Sequence, residues 1–350
     1  MDILCLLKFV FSSPHMPISD GFKPGDYISI NLPRVALYEF HPFTISSAPE
    51  ETVHLRVHIH ACGNWTKRVY QRFKDMSENN AEENHVTVHR ADLNPDRAAA
   101  EEKDEEVSAI AAIEMGIDPE EDGNESTMTK PKMKTKKELV IINGPYSSCA
   151  RYVFDCKHVV LIGGGIGITP YASILSSLMA QFRASYTVCQ HCHGINYHNK
   201  GLAQNRRLTK VDFIWVNRDQ KNFEWFLNLL RQFEQEQEAY LASNLEEHRF
   251  LDIHLFFTEI KHDENIGHAP LDFVTKVWAQ VAGQDIFTRL KARTTIGRPK
   301  WDELFTSLIS GANSSTANDV SVFFCGPTSL ATIIRKHCAQ FRFRFYEEKF

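Results

Sequence analysis

The chain has 350 residues, 43% of them hydrophobic and 24% charged, with a formal net charge of −5. That length allows two domains, each with its own core, and the mild acidity excludes a protein built around a nucleic-acid-binding basic surface. No stretch reaches the roughly 18 apolar residues that a membrane helix needs.

The first apolar run, Ile3–Phe11, contains Lys8 and follows Asp2. It lacks the basic start and small-residue cleavage site of a signal peptide, so it reads as a buried strand. Residues 1 to about 75 continue in this style. Short apolar runs are cut by turn residues in Lys23–Pro33, His41–Glu50 and Val53–Thr66. Val53, Leu55, Val57 and Ile59 alternate, which turns one face inward. Thr66–Lys74 reads as one short helix. The pattern predicts a small antiparallel barrel.

Residues 77–137 differ in kind. Glu101–Glu125 is mostly acidic, and Lys130, Lys132, Lys134, Lys136 and Lys137 follow as a basic cluster. Such a segment buries too little apolar surface to offset its ordering entropy, so it is expected to be largely disordered. Glu105–Gly116 within it has the spacing of a short amphipathic helix, and Leu139–Tyr146 resumes the barrel.

From Val153 the period changes. Strand-like runs at Val159–Ile162, Val211–Asn217, Leu251–Phe257, Thr294–Gly297 and Val320–Gly326 are separated by helical patterns. Alternating strand and helix means a parallel, doubly wound sheet. Residues 183–210 read as an insertion. The eight cysteines form no secreted-type framework, which fits a reducing, cytosolic setting. There is no fixed-period repeat.

The first of these strands stops at a glycine run, VVLIGGGIGITP from Val159 to Pro170. A loop there lies at the carboxyl edge of the sheet, where backbone amides and the helix N-terminus are expected to face outward and attract phosphate. Gly165, Gly167 and Pro170 give the spacing GxGxxP. Proline replaces the usual third glycine, and it suits a helix's first turn because its missing N–H would be unpaired there anyway. The alternative is a plain strand-to-helix turn. The strand Val211–Asn217 ends in Arg218, the residue type that takes an adenosine 2′-phosphate. Its alternative is a surface arginine paired with Asp219.

Taken together, HPFTISSAPE, GNWTKRVY, NGPY, LIGGGIGITPYASIL, WVNRDQKNFEWF, GRPKWDELF, VFFCGP and a terminal Phe350 occur in one order. This series resembles the dehydrogenase region of the NADPH oxidases, within the ferredoxin–NADP reductase superfamily, over nearly the whole chain except about 77–137. The Cys/His-containing insertion and the ending HCAQFRFRFYEEKF resemble the calcium-regulated branch.

The resemblance implies an antiparallel FAD-binding β-barrel (residues 1–76 and 138–152), an acidic and basic insert (77–137) and a doubly wound parallel-sheet NADPH-binding domain (153–350). It assigns His41, Pro42, Phe43 and Thr44 to FAD, with the Thr44 hydroxyl turned toward the flavin. Gly63, Trp65 and Thr66 match the pyrophosphate contact, with Thr66 at a helix N-terminus. Gly165, Gly167, Thr169 and Pro170 match the NADPH phosphate loop, Arg218 the 2′-phosphate contact, and Arg298 an assisting one. Cys325, Gly326 and Pro327 would close the nicotinamide end, and Phe350 would stack on the flavin ring. Thr44, Cys325 and Phe350 thus stand closest to the chemistry. Ser147 follows NGPY where the family usually has glycine, and a residue other than glycine is strained at a positive-φ turn.

The implied activity is hydride transfer from NADPH to FAD and release of single electrons, in the whole family toward haem and oxygen to give superoxide. The haem-bearing transmembrane domain and a calcium-binding domain would be partners in a longer protein at the cytosolic face of a membrane, and this chain a fragment or short form of it. A free-standing soluble NADPH flavoreductase, or a non-catalytic form that binds a calcium-sensing partner, are the competing expectations. No metal is assigned. A zinc site, were one present, would draw on Cys189, Cys192, His193 and His198. Asp118–Thr129 resembles a calcium loop but ends in Thr129 where a bidentate glutamate belongs, so it reads as a solvated acidic run. The lysine cluster has the charge to meet anionic lipid, and Ile333–Tyr346 resembles a target of calmodulin-like proteins, although the last helix and strand of the domain explain it as well.

Overall fold

A computed structural model describes residues 4–10, 21–51, 54–79, 86–90, 109–110, 138–188, 191, 195–197, 207–218, 224–244, 248–258, 283–285, 288–292, 294–310, 314 and 316–349. The chain divides into two compact units, one made of residues 1–22 and 26–146, the other of 23–25 and 147–350. Among the described residues no helix is long and apolar enough to cross a membrane.

The first unit holds β1 (Leu4–Val10), β2 (Tyr27–Asn31), β3 (His41–Thr44), β4 (His54–His60), α1 (Asn64–Asn79), β5 (Val86–Arg90), β6 (Ala109–Ile110) and β7 (Glu138–Tyr146). Its strands form two sheets, ordered β4-β1-β6 and β3-β2-β7-β5. An antiparallel bridge from Ile45 to Val57 ties the sheets together just beyond β3. The core holds Ile28, Ile30, Leu55, Val57, Ile59 and Val140, with Trp65, Val69 and Phe73 of α1 against them. In β4 the alternation read from sequence is met, because Leu55, Val57 and Ile59 are all buried.

Two expectations for 77–137 change. Helix α1 runs on to Asn79, and two strands lie inside the segment. β5 pairs in parallel with β7, a departure from an all-antiparallel barrel, and β6 pairs with β1 through Ala109 and Ile110, where a short helix was expected. Sheet edges supply backbone partners that side-chain composition does not reveal. The remainder of 77–137 lies outside the described residues.

The second unit begins with a 3-10 turn at Cys149–Asp155. It continues with β8 (His158–Gly164), α2 (Thr169–Arg183), β9 (Tyr186–Val188), β10 (Ile195–Tyr197), β11 (Lys210–Asn217), α3 (Glu224–Ser243), β12 (Leu251–Phe257), β13 (Thr294–Ile296), α4 (Trp301–Leu308), β14 (Val320–Cys325), α5 (Thr328–Phe341) and β15 (Arg344–Glu348). Six strands make a parallel sheet in the order β13-β12-β11-β8-β14-β15. Parallel strands covered on both faces read as continuous apolar runs, and β8 and β14 are buried at every residue. One face packs against α2 and α3 through Tyr171, Leu175, Phe226 and Leu230. The other packs against α4 and α5 through Trp301, Phe305, Ile334 and Cys338. Successive strands run outward from β8 to β13, and the chain then returns to add β14 on the other side of β8. The order therefore reverses between β8 and β14, and in such sheets ligands bind at the carboxyl ends of the strands at that point.

In the predicted insertion 183–210, β9 and β10 form an antiparallel hairpin. Cys189, Cys192, His193 and His198 lie outside the described residues, as does Phe350.

Candidate functional site

The loops that follow β8 and β14 leave the sheet side by side, and their glycines explain how. A Cβ on Gly167 would stand 2.2 Å from the Cys325 carbonyl oxygen, and one on Gly326 would stand 2.9 Å from the Gly164 Cα. The crossovers thus pack backbone on backbone, which no larger residue allows. Gly326 also has φ +154°.

The amides of this loop do not all face outward as expected. The Gly165 N–H donates to Val216 O at 3.0 Å and the Gly167 N–H to Gly164 O at 3.1 Å. In return the buried Trp215 donates its indole N–H to Gly165 O at 3.1 Å. The glycines therefore set the loop's shape, and the polar groups left for a phosphate are others. Helix α2 opens at Thr169 with Pro170 in its first turn, as the sequence predicts. The Thr169 hydroxyl makes no hydrogen bond to a described residue, and the positive end of a helix of 15 residues lies there.

Tyr171 fixes that helix end to the sheet. Its hydroxyl lies 2.9 Å from Phe323 O and 3.2 Å from Ile162 O, spanning β14 and β8. Burial, with the neighbouring Cys325, Cys149 and Glu348, pushes its pKa well above the usual tyrosine value. Neither Trp215 nor Tyr171 was singled out for this role from the sequence, because a buried aromatic in a strand or helix reads as core.

Arg218 is the residue after β11, exposed and in no ion pair with a described residue. Asp219, its alternative partner, lies outside the described residues. Arg298 follows Gly297, whose φ is +107° and whose N–H donates to Phe257 O, so it leaves the end of β13 exposed to solvent. Only β12 separates β11 from β13, so the two backbones are about 10 Å apart at the carboxyl edge. Arg218 and Arg298 therefore leave neighbouring points of the same edge.

Cys325 ends β14 and is buried. Burial and then the charge of Glu348 push its pKa up to about 12, so the thiol stays neutral at physiological pH. It offers a polarizable wall rather than a nucleophile. Glu348 lies opposite Cys325 in the β14–β15 register. The sequence did not single it out, and its register beside Cys325 is what brings it to the carboxyl edge.

In the first unit, Asn31 donates from Nδ2 to Ala36 O (2.9 Å) and Glu39 O (2.7 Å). These bonds shape the loop that delivers β3. His41 stacks on Trp65 with ring centroids 4.2 Å apart, and Phe43 stacks on the same indole at 5.8 Å. The structure thus brings HPFT and GNWT into one aromatic wall. Pro42 is exposed. Thr44 is buried. Thr66 stands in the first turn of α1, but its hydroxyl is committed to Gly63, accepting from its N–H at 2.9 Å and donating to its carbonyl at 3.1 Å. It caps the helix in the manner of a capping box. The Trp65 indole N–H is buried without a partner among the described residues, an orphan donor that a bound molecule would satisfy.

Ser147 is not at positive φ. The turn before it is made by Gly144 at φ +126°, so the expected strain at Ser147 is absent.

Residues 156–339 match the ferric reductase NAD binding domain, and residues 6–150 match an FAD-binding domain. The chain belongs to the ferric reductase NAD-binding family. Its paired units correspond to the C-terminal dehydrogenase region of the NADPH oxidases. NADPH oxidase 5 of Homo sapiens is 36% identical over 331 residues, covering 94% of this chain and 39% of that protein. A superoxide-generating NADPH oxidase heavy chain of Dictyostelium discoideum is 30% identical over 335 residues, covering 94% of this chain and 49% of that one. The chain therefore spans less than half the length of these relatives. A solved flavohemoglobin from Malassezia yamatoensis is a looser likeness, with a TM-score of 0.45 and 14% identity over 99% of this chain and 60% of that one.

Both cofactors of this family fit the residues present. The glycine crossovers pack the loops after β8 and β14 together at the strand-order reversal, where sheets of this kind bind dinucleotides, and Gly165 faces open space. The orphan Trp65 donor, beside the buried Thr44 of the same wall, suits a flavin nucleotide.

Proposed function

We propose that the chain is an NADPH:FAD oxidoreductase and the electron-input part of a superoxide-generating NADPH oxidase. Held by this chain, FAD would supply the redox chemistry, acceptance of a hydride from NADPH and release of the two electrons singly. The chain's own residues bind and orient. Gly164, Gly167 and Gly326 let the two crossovers pack closely, and Gly165, with open space beside it, lets the nucleotide approach, with Thr169 and Pro170 opening the helix beneath it. Arg218 and Arg298 take the 2′-phosphate, a bidentate task for which a guanidinium is shaped. Cys325 and Pro327 line the nicotinamide end. His41, Phe43, Thr44 and Trp65 hold the flavin, and Phe350 stacks on it. The acceptor is haem in a transmembrane domain of the longer protein, which puts this chain at the cytosolic face of a membrane.

The observation that carries this reading is the contact of Gly167 with Cys325 and Gly326 at the reversal of strand order. The test is the purified chain reconstituted with FAD and given NADPH or NADH. We expect stoichiometric flavin and bleaching by NADPH in preference to NADH. Arg218→Ala should lower kcat/KM for NADPH by roughly 10- to 100-fold, the size of a lost charge-assisted pair, and leave NADH unchanged. A chain that binds no flavin, or a variant whose NADPH-to-NADH ratio equals the parent's, sinks the proposal.

A further inference from the structure

The Cys149 thiol follows the NGPY motif by three residues and meets the last strand. Its Sγ–H donates to Glu348 Oε2 at 2.9 Å, and its backbone N–H donates to the same oxygen at 3.2 Å. The two residues are 199 positions apart. Both belong to the second unit.

The turn that carries Cys149 is fixed on three sides. Ser148 caps it, its hydroxyl accepting from the Ala150 N–H at 3.1 Å. Ala150 presses on Gly25 so closely that a Cβ there would stand 2.6 Å from the alanine's own. The Cys156 N–H closes the turn on Val153 O at 3.2 Å. A donor held this firmly costs little entropy when it binds.

The thiol is also kept in its donor form. Burial first, then the hydrogen bond to Glu348 and its charge, push the Cys149 pKa well above the usual thiol value. Glu348 in turn stands opposite Cys325 at the carboxyl edge. Loss of hydride leaves positive charge on a nicotinamide, and a fixed carboxylate nearby stabilises that charge without reorganising.

We propose that Cys149 is a positioning residue: its thiol and amide clasp Glu348 Oε2 and hold the carboxylate beside Cys325 at the nicotinamide end. The role given to Glu348 rests on the oxidoreductase reading above. The clasp itself does not.

The test uses the full chain with FAD. Cys149→Ala should slow flavin reduction at saturating NADPH by about fivefold, the size of one weak donor lost from a charged acceptor. NADPH affinity should stay within twofold, since phosphate and adenosine are held elsewhere. Cys149→Ser should restore the rate to within twofold. In a Glu348→Gln background, Cys149→Ala should have a much smaller effect. An unchanged rate in Cys149→Ala, no rescue by serine, or equal losses in both backgrounds overturns the proposal. A second readout needs no turnover. The S–H stretch that Cys149→Ala removes from the infrared spectrum should shift in Glu348→Gln, and a band that does not move disproves the clasp. A parent chain that loads FAD but is not reduced by NADPH overturns the functional reading and the role of Glu348 with it, while the S–H shift still reports the contact.

Discussion

Two glycines in one loop, Gly165 and Gly167, should fail for different reasons when each is replaced by alanine. At Gly167 the new Cβ would stand 2.2 Å from the Cys325 carbonyl oxygen, 2.6 Å from its carbon and 3.0 Å from the Gly326 nitrogen. Ordinary contact begins at 3.4 Å, so the loop must lift by about 1 Å. All three of these neighbours are backbone at the end of β14, which is hydrogen-bonded on both sides to β8 and β15, so nothing soft can yield. Overpacking of this kind costs about 1–3 kcal/mol, and a displacement of about 1 Å at a binding site can cost about 100-fold in rate. At Gly165 the φ is +58° and the added Cβ meets nothing within 4 Å. There the cost is only the left-handed conformation, about 1–2 kcal/mol. We expect Gly167→Ala to weaken NADPH binding at least tenfold, and Gly165→Ala to bind within a few-fold of the parent with a lower melting temperature. Gly165→Asn should recover part of that loss, because asparagine tolerates the left-handed region. Titration of NADP+ against the FAD-loaded chain, with thermal melts in parallel, decides it. If Gly167→Ala binds as the parent does, or Gly165→Ala is equally damaging, the packing explanation is wrong.

The remaining predictions concern pH and the sheet. His58 is buried with Nδ1 2.8 Å from Ser46 Oγ, and burial, followed by the nearby Arg56 charge, lowers its pKa from 6.5 to about 3. Its folded value is depressed, so the stability it allows is complete above pH 6.5 and drains away as pH falls toward 3, by about 2 kcal/mol at pH 5. Urea unfolding of His58→Gln should show a pH 7.5-to-5 loss smaller by that amount, and an equal loss would refute the buried neutral imidazole. Asp212 joins His158 (2.7 Å) and His254 (2.9 Å) at the opposite, amino edge of the sheet. Burial alone would raise its pKa, but the hydrogen bonds from both imidazoles and the charge of Lys210 outweigh it and bring the value to about 2. Its contribution is therefore present above about pH 3.8 and lost as pH falls through 2. Asp212→Ala, which leaves the buried His158 ring nitrogen without its hydrogen-bond partner, should cost about 1–3 kcal/mol in a denaturant titration at neutral pH. Tyr171→Phe should cost about 1–2 kcal/mol by loss of the donor between β8 and β14, and a melt identical to the parent's would show that the hydroxyl bridges nothing.

What the sequence disclosed follows from the range over which each signal acts. β8, β11, β12 and β14 were legible because strands covered on both faces are continuous apolar runs with turn residues at their ends. HPFT and GNWT were legible as motifs, and their stacking through Trp65 follows once β3 and α1 share a unit. The direction of an amide is not encoded in a motif. Gly165 and Gly167 carry the spacing of a phosphate loop, yet their N–H groups go to Val216 and Gly164, and only the partner strands could show that. The segment 77–137 was judged by composition, which measures what side chains can bury and is blind to an edge strand's unpaired backbone, the feature that β5 and β6 exploit.

Range also explains why Glu348 and Cys149 escaped notice while Cys325 did not. Cys325 sits in VFFCGP, where strand, turn and glycine occur within six residues, so its place at the carboxyl edge is local information. Glu348 reaches that edge only through its register with β14, and Cys149 only through a turn held by Ser148 and by the absent side chain of Gly25. Each step is long-range, and each depends on the one before. A hydrogen bond between residues 199 positions apart is thus a product of the fold rather than of any motif. Its removal should consequently disturb the geometry of the last strand while leaving every sequence signature of the family in place.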